Sequence, residues 1–80
     1  MIYNLVVCGS PGSILTKTLL NVVKTLESNN VKVSFINIEE ELDYVYEYYI
    51  RNSPTLLVFR DGDLWKKMNL PIVKENILAS

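Results

Sequence analysis

An α/β fold in the order β-α-β-α-β-β-α, a four-stranded mixed sheet flanked by three helices, is the architecture this sequence predicts. Three observations carry the prediction. Short apolar runs rich in β-branched and aromatic residues alternate with segments of helical period. Ser53-Pro54 breaks the second helical segment just before an apolar run. Asp61-Gly62 stands between two strand-like segments, the strongest hairpin signal in the chain. Eighty residues correspond to one small domain, 1–80, near the size at which a single core is just sufficient.

Each element has its own signal. Ile2–Val7 is a buried strand by length and composition, stopped by the turn residues Gly9-Ser10-Pro11-Gly12-Ser13. From Ile14 to about Ser28 the period becomes helical, with Leu15, Leu19, Val22, Val23 and Leu26 on one face and Lys17, Asn21 and Lys24 opposite. Ser10 or Ser13 is placed to cap that helix. Asn29-Asn30 ends it, and Val31–Ile38 is a second strand, which makes a parallel βαβ unit. Glu39-Glu40-Glu41 supplies acid for a helix start. Leu42, Val45, Tyr46, Tyr49 and Ile50 then follow a helical stripe. Thr55–Phe59 is the third strand and Asp63–Met68 the fourth. Pro71 suits the first position of a last helix running to about Ala79.

Composition narrows the function classes. There is one cysteine, Cys8, and no histidine. No internal disulfide is therefore available, and a lone thiol points to a reducing compartment. The missing histidine removes the commonest general base and metal ligand together, so neither a metal nor another cofactor is expected. The formal net charge of −1 gives no basic footprint for nucleic acid or an anionic membrane. No apolar run is long enough to span a bilayer, and Met1-Ile2-Tyr3-Asn4 does not read as a signal peptide. A cytoplasmic protein is expected.

The segment Tyr49-Ile50-Arg51-Asn52-Ser53-Pro54-Thr55-Leu56-Leu57-Val58-Phe59-Arg60-Asp61-Gly62, with Asn37-Ile38-Glu39 upstream, resembles the second half of a thioredoxin. The match runs from roughly Val31 to Ile77. The resemblance implies a thioredoxin-like fold with a cis peptide bond at Pro54 facing the active-site loop. It also implies that the extra amino-terminal strand and helix of a full thioredoxin are absent, leaving a size closer to a glutaredoxin. An ungapped count back from Pro54 lays Ser10-Pro11-Gly12-Ser13 on the family's Cys-x-x-Cys. Ser10 and Ser13 then occupy the positions of the redox cysteines. Asn4 falls on the family's buried acid and Gly9 on its tryptophan. Serine forms no disulfide and is a poor nucleophile without a base, so dithiol oxidoreductase activity is not expected and no catalytic residue is assigned.

What the resemblance leaves is a groove. Gly9, Pro11 and Gly12 on the loop, with Ser53, Pro54 and Thr55, form the surface on which thioredoxins dock extended chains, and the backbone before the proline offers hydrogen bonds to a peptide. The leading expectation is a redox-inactive adaptor or regulator with a protein partner. A shifted alignment makes Ser13 and Thr16 the pair, again without sulfur. A second reading starts from Cys8-Gly9-Ser10-Pro11, which resembles the Cys-Gly-Phe-Ser of monothiol glutaredoxins, and makes Cys8 a functional thiol rather than a small core hydrophobe. A third starts from Leu5–Ser13, which resembles the first strand and loop of KaiB-like clock proteins and sensor domains. Among the aromatics, Tyr46 and Tyr49 are expected in the core and Tyr44 and Tyr48 on another face. Trp65, with Lys66 and Lys67, lies on the expected edge strand, where aromatic rings favour contact and lysines oppose it.

Overall fold

The computed structural model describes residues 1–79. The strands are β1 (Tyr3–Gly9), β2 (Val31–Asn37), β3 (Thr55–Arg60) and β4 (Asp63–Asn69), with helices α1 (Ile14–Lys24), α2 (Leu42–Glu47) and α3 (Lys74–Ile77) in the predicted order. The sheet runs β2-β1-β3-β4, with β1 and β2 parallel and the other pairs antiparallel.

The two central strands are buried on both faces, which is why they read as unbroken apolar runs. Their alternation splits the interior into two cores. Leu5, Val7, Leu56 and Val58 face Leu19 and Val23 of α1 and Ile77 of α3. Val6, Cys8 and Leu57 face the other way and meet Ile50, with Tyr44, Val45, Tyr48 and Phe59 packed around them. The Asp61-Gly62 turn has positive φ at both residues, 50° and 90°, the backbone of a type I′ hairpin.

Several boundaries differ from the sequence reading. Strand β1 continues through Cys8 and Gly9, because both pair with β2, at Ile36 and Asn37. Helix α1 ends at Lys24 rather than near Ser28. Its last turn tightens through bonds from Leu26 N to Val23 O and from Glu27 N to Lys24 O. On its inner face Thr16, Leu19 and Val23 are buried, while Leu15 is exposed. Pro71 lies outside the last helix, three residues ahead of its first turn, and α3 is held to a single turn. The Lys66 amine caps it, donating to the carbonyls of Asn76, Ile77 and Ala79.

The tyrosines of α2 reverse the expectation. Tyr46 and Tyr49 are 78% and 68% exposed. Tyr44 and Tyr48 lie against the second core, their ring centroids 4.6 Å apart, with Tyr48 edge-on to Phe59 at 5.6 Å. The helix is too short to carry a stripe from Leu42 to Ile50. It stops in a Schellman motif, with Ile50 N bonded to Val45 O and Tyr49 N to Tyr46 O. Ile50 folds back beside Val45 in the core, and Tyr49, at the left-handed position with φ 52°, is turned outward. Glycine usually occupies that position because a Cβ costs on the order of 1 kcal/mol there. Tyr49→Gly is therefore expected to stabilise the domain by about 0.5 kcal/mol after the added freedom of the unfolded chain is subtracted. A higher thermal midpoint checks this, and a lower one would show that Tyr49 has a stabilising contact outweighing its backbone strain.

The neighbouring lysines of β4 point to opposite faces. Lys67 donates to the carbonyls of Tyr48 and Tyr49 at the end of α2, while Lys66 holds the end of α3. Each cation sits on the carbonyl end of a helix, where negative partial charge collects.

Candidate functional site

The candidate site is built where β1 runs out and β3 begins. Cys8 pairs with Thr55 across the antiparallel ladder, so one further step of the same register sets Gly9 opposite Pro54. The loop after Gly9 and the segment before Thr55 therefore leave the sheet side by side. The Ser53–Pro54 peptide bond is cis. Pro54 and Thr55 are buried and Ser53 is exposed, so the surface at this point is the Ser53 backbone and side chain, not the proline ring. The Thr55 hydroxyl is committed internally, 2.5 Å from Asn52 O and 3.0 Å from the Asn69 side chain.

On the loop, Pro11 and Gly12 are exposed and Ser10 and Ser13 half-buried. The two serines do different work. Ser13 is the N-cap of α1, its Oγ accepting from Thr16 N at 3.3 Å, which satisfies a helix-end donor that would otherwise lack a partner. Ser10 Oγ donates to Glu39 Oε2 at 2.8 Å, tying the loop to the turn after β2. Nothing in the spacing announces this bond, since 29 positions separate the partners. The acidic run Glu39–Asp43 reads in sequence only as a solvated helix start.

Gly9 is buried, and α1 lies directly on it. A Cβ built there would stand 2.3 Å from Thr16 Oγ1 and 2.8 Å from Thr16 Cγ2. No side chain fits at this position, least of all one of tryptophan size. Thr16 Oγ1 is itself buried without a hydrogen-bond partner, a penalty accepted where helix and strand approach most closely. Asn4, the residue laid on a buried acid by the sequence comparison, is exposed. Asn4 therefore forms no buried polar site beneath the loop.

Cys8 is not on the loop. It lies in β1 with no solvent exposure, its Sγ 3.9 Å from Val6 O. Burial pushes its thiol up to about 12, the opposite of the shift that activates a thiol. The Tyr44 hydroxyl, on the same face, is also raised to about 12, by burial first and then by Cys8, Tyr48 and Glu47. A separate apolar pocket of about 220 Å³ opens on the other side of the loop, lined by Pro11, Thr16, Lys17, Leu20 and Phe35. It shares Pro11 with the expected groove but not Ser53 or Pro54. Trp65 is not a free anchor. Its ring lies 5.8 Å from that of Tyr3, with the Arg60 guanidinium and the Lys66 amine each 4.4 Å from its centroid.

Among solved structures, the chain is similar to an N21Q mutant thioredoxin from Halobacterium salinarum NRC-1. The TM-score is 0.80 at 24% identity, over 91% of this chain and 66% of that one. It is similar as well to mitochondrial thioredoxin 3 of Saccharomyces cerevisiae, with a TM-score of 0.74 at 17% identity, over 84% and 65% of the two chains. A designed protein matches at 0.80 and 14% identity, covering 92% of this chain and 68% of its own. The chain thus spans just under two thirds of the length of the two thioredoxins. No family model matches the sequence, and no curated protein does. The fold is thioredoxin-like.

Proposed function

We propose that this thioredoxin-like domain binds an extended segment of a protein partner in the groove between the Ser10–Gly12 loop and Ser53, and does so without thiol exchange. One observation carries the reading. The chain's single thiol, Cys8, is sealed in the sheet and held protonated by burial, while the groove presents hydroxyls, backbone and the Pro11 ring. The same burial speaks against the monothiol reading, because a thiolate must be exposed to attack a disulfide or hold a cluster. Ser53 is exposed on the approach to Pro54, which leaves its peptide groups available to pair with an incoming strand.

Two measurements test this reading. With dithiothreitol as donor, insulin disulfides should be reduced no faster than by the reagent alone. Acceleration that Cys8→Ser abolishes would overturn the redox-inactive half. For the groove, extended peptides selected from a displayed library on the wild-type protein should bind at least about tenfold more weakly to Gly12→Gln and to Pro54→Ala. Position 12 has open space around an added Cβ, so the first variant places bulk in the groove without disturbing the core. Equal affinity for both variants would place peptide binding elsewhere.

A further inference from the structure

The two edges of the sheet are treated differently. On β4 the lysine amines are drawn onto helix ends, and two cations lie against the Trp65 ring. Among the described residues, the β2 edge has no such cover. Tyr3 N bonds to Asn30 O at one end of the β1–β2 ladder, and Ile38 N bonds to Gly9 O at the other. With the register fixed between them, the alternation of a parallel ladder turns the peptide groups of Lys32, Ser34 and Ile36 toward β1. Those of Val31, Val33, Phe35 and Asn37 point away from the sheet.

In that outer row both peptide groups of Val31 and the carbonyl of Asn37 are already occupied. Val31 exchanges both bonds with Ser28, and Asn37 O accepts from Glu40 N and Glu41 N. An open window remains at Val33 and Phe35, with two donors and two acceptors. The window is self-complementary. An antiparallel copy placed with its two-fold axis at Ser34 sets Val33 opposite Phe35 of the second copy, and Phe35 opposite its Val33. Each of these pairs exchanges two backbone bonds, so every polar group of both windows is satisfied.

The side chains agree with this register. Toward α1, β-branched Val33 meets aromatic Phe35, a favourable cross-strand pair. Phe35 is 37% exposed in the single chain, and the pocket beside it continues the apolar surface to Leu20 and Pro11. Toward α2, Ser34 meets Ser34 and Lys32 meets Ile36. Lys32 is the one charge on the strand, so no like charges are opposed. We propose that the β2 edge is the contact between two copies of this chain, joined antiparallel about Ser34 into one continuous eight-stranded sheet.

Sedimentation equilibrium and a cysteine cross-link test the contact. The wild type should show a concentration-dependent dimer. Val33→Pro removes an outward donor from each copy without touching the β1 ladder, and by symmetry two bonds are lost. The dimer dissociation constant should rise by at least about tenfold. Circular dichroism verifies that this variant folds. Independently, Ser34→Cys in a Cys8→Ala background sets two thiols across a non-hydrogen-bonded pair whose Cα atoms are about 4.5 Å apart, within disulfide reach. Copper-phenanthroline oxidation should give a covalent dimer at low protein concentration. A monomer at every concentration would overturn the proposal. So would a dimer that forms no Ser34→Cys cross-link, since the copies would then meet on another face or leave the edge to a different chain.

Discussion

Replacing Gly9 with alanine should destabilise the fold by about 1–3 kcal/mol, the cost of overpacking a tight interior. The new methyl would sit 2.3 Å from Thr16 Oγ1, 2.8 Å from Cγ2 and 3.1 Å from Cβ. Rotating the threonine side chain moves the first two atoms but not the third, so α1 itself must lift from β1. Leu19 and Val23 would then lose contact with Leu5 and Val7, and the loop bearing Ser10 and Ser13 would move with the helix. Urea unfolding of Gly9→Ala, Thr16→Ala and the double variant measures the effect as a cycle. The double variant should be more stable than the sum of the single losses, because deleting the threonine's outer atoms opens the space the methyl needs. A Gly9→Ala loss within about 0.5 kcal/mol, the range of an ordinary surface change, would show that the helix yields without cost.

Cys8 should be silent to thiol reagents in the native protein and reactive only through unfolding. Its sulfur has no solvent-exposed surface and stays protonated to about pH 12. At pH 8 the labelling rate with a dinitrobenzoate disulfide should therefore follow the population of the open chain, and rise with urea in step with the unfolding curve. Fast stoichiometric labelling of folded protein would defeat this and revive a chemical role for the residue. The pH dependence has a definite sign. The folded thiol titrates near 12 against 9.0 for an unperturbed one, so the native state binds the proton more tightly than the unfolded chain. The stability linked to that proton is fully present below pH 9 and is lost as pH climbs toward 12. Tyr44, raised in the same direction from 10.0, adds to the loss at the upper end of the window. Cys8→Ala should flatten the alkaline slope from its lower end and also reduce the Tyr44 contribution, leaving the part that burial, Tyr48 and Glu47 supply.

The order of elements and the strand cores were legible because their signals are local. Alternating apolar runs, the Asp61-Gly62 turn and the break at Ser53-Pro54 each depend on a few adjacent residues. Helix ends were less legible, because tertiary contacts set them. Helix α2 ends where Ile50 turns back onto Val45, and the resulting change of direction exchanges the buried and exposed tyrosines. Periodicity alone, continued through Tyr49, puts the wrong pair inside. At the candidate site, Ser13 as a helix cap follows from its position before Ile14. The Ser10–Glu39 bond and the Gly9–Thr16 approach do not follow from sequence, since each depends on how a helix or turn settles against the sheet. Strand β1 runs two residues further than its apolar signal. That short extension puts the only thiol in the interior, where the small-hydrophobe reading of Cys8 has it, and removes much of the case for thiol chemistry.

The two adjacent lysines of β4 have a consequence for how the molecule opens. Because Lys66 fastens one helical layer and Lys67 the other, peeling β4 from β3 withdraws both clamps in the same event. Amide protons of α2 and α3, though on opposite faces and without a clamp in common, should then exchange with solvent in parallel as one sub-global unit, ahead of those in β1.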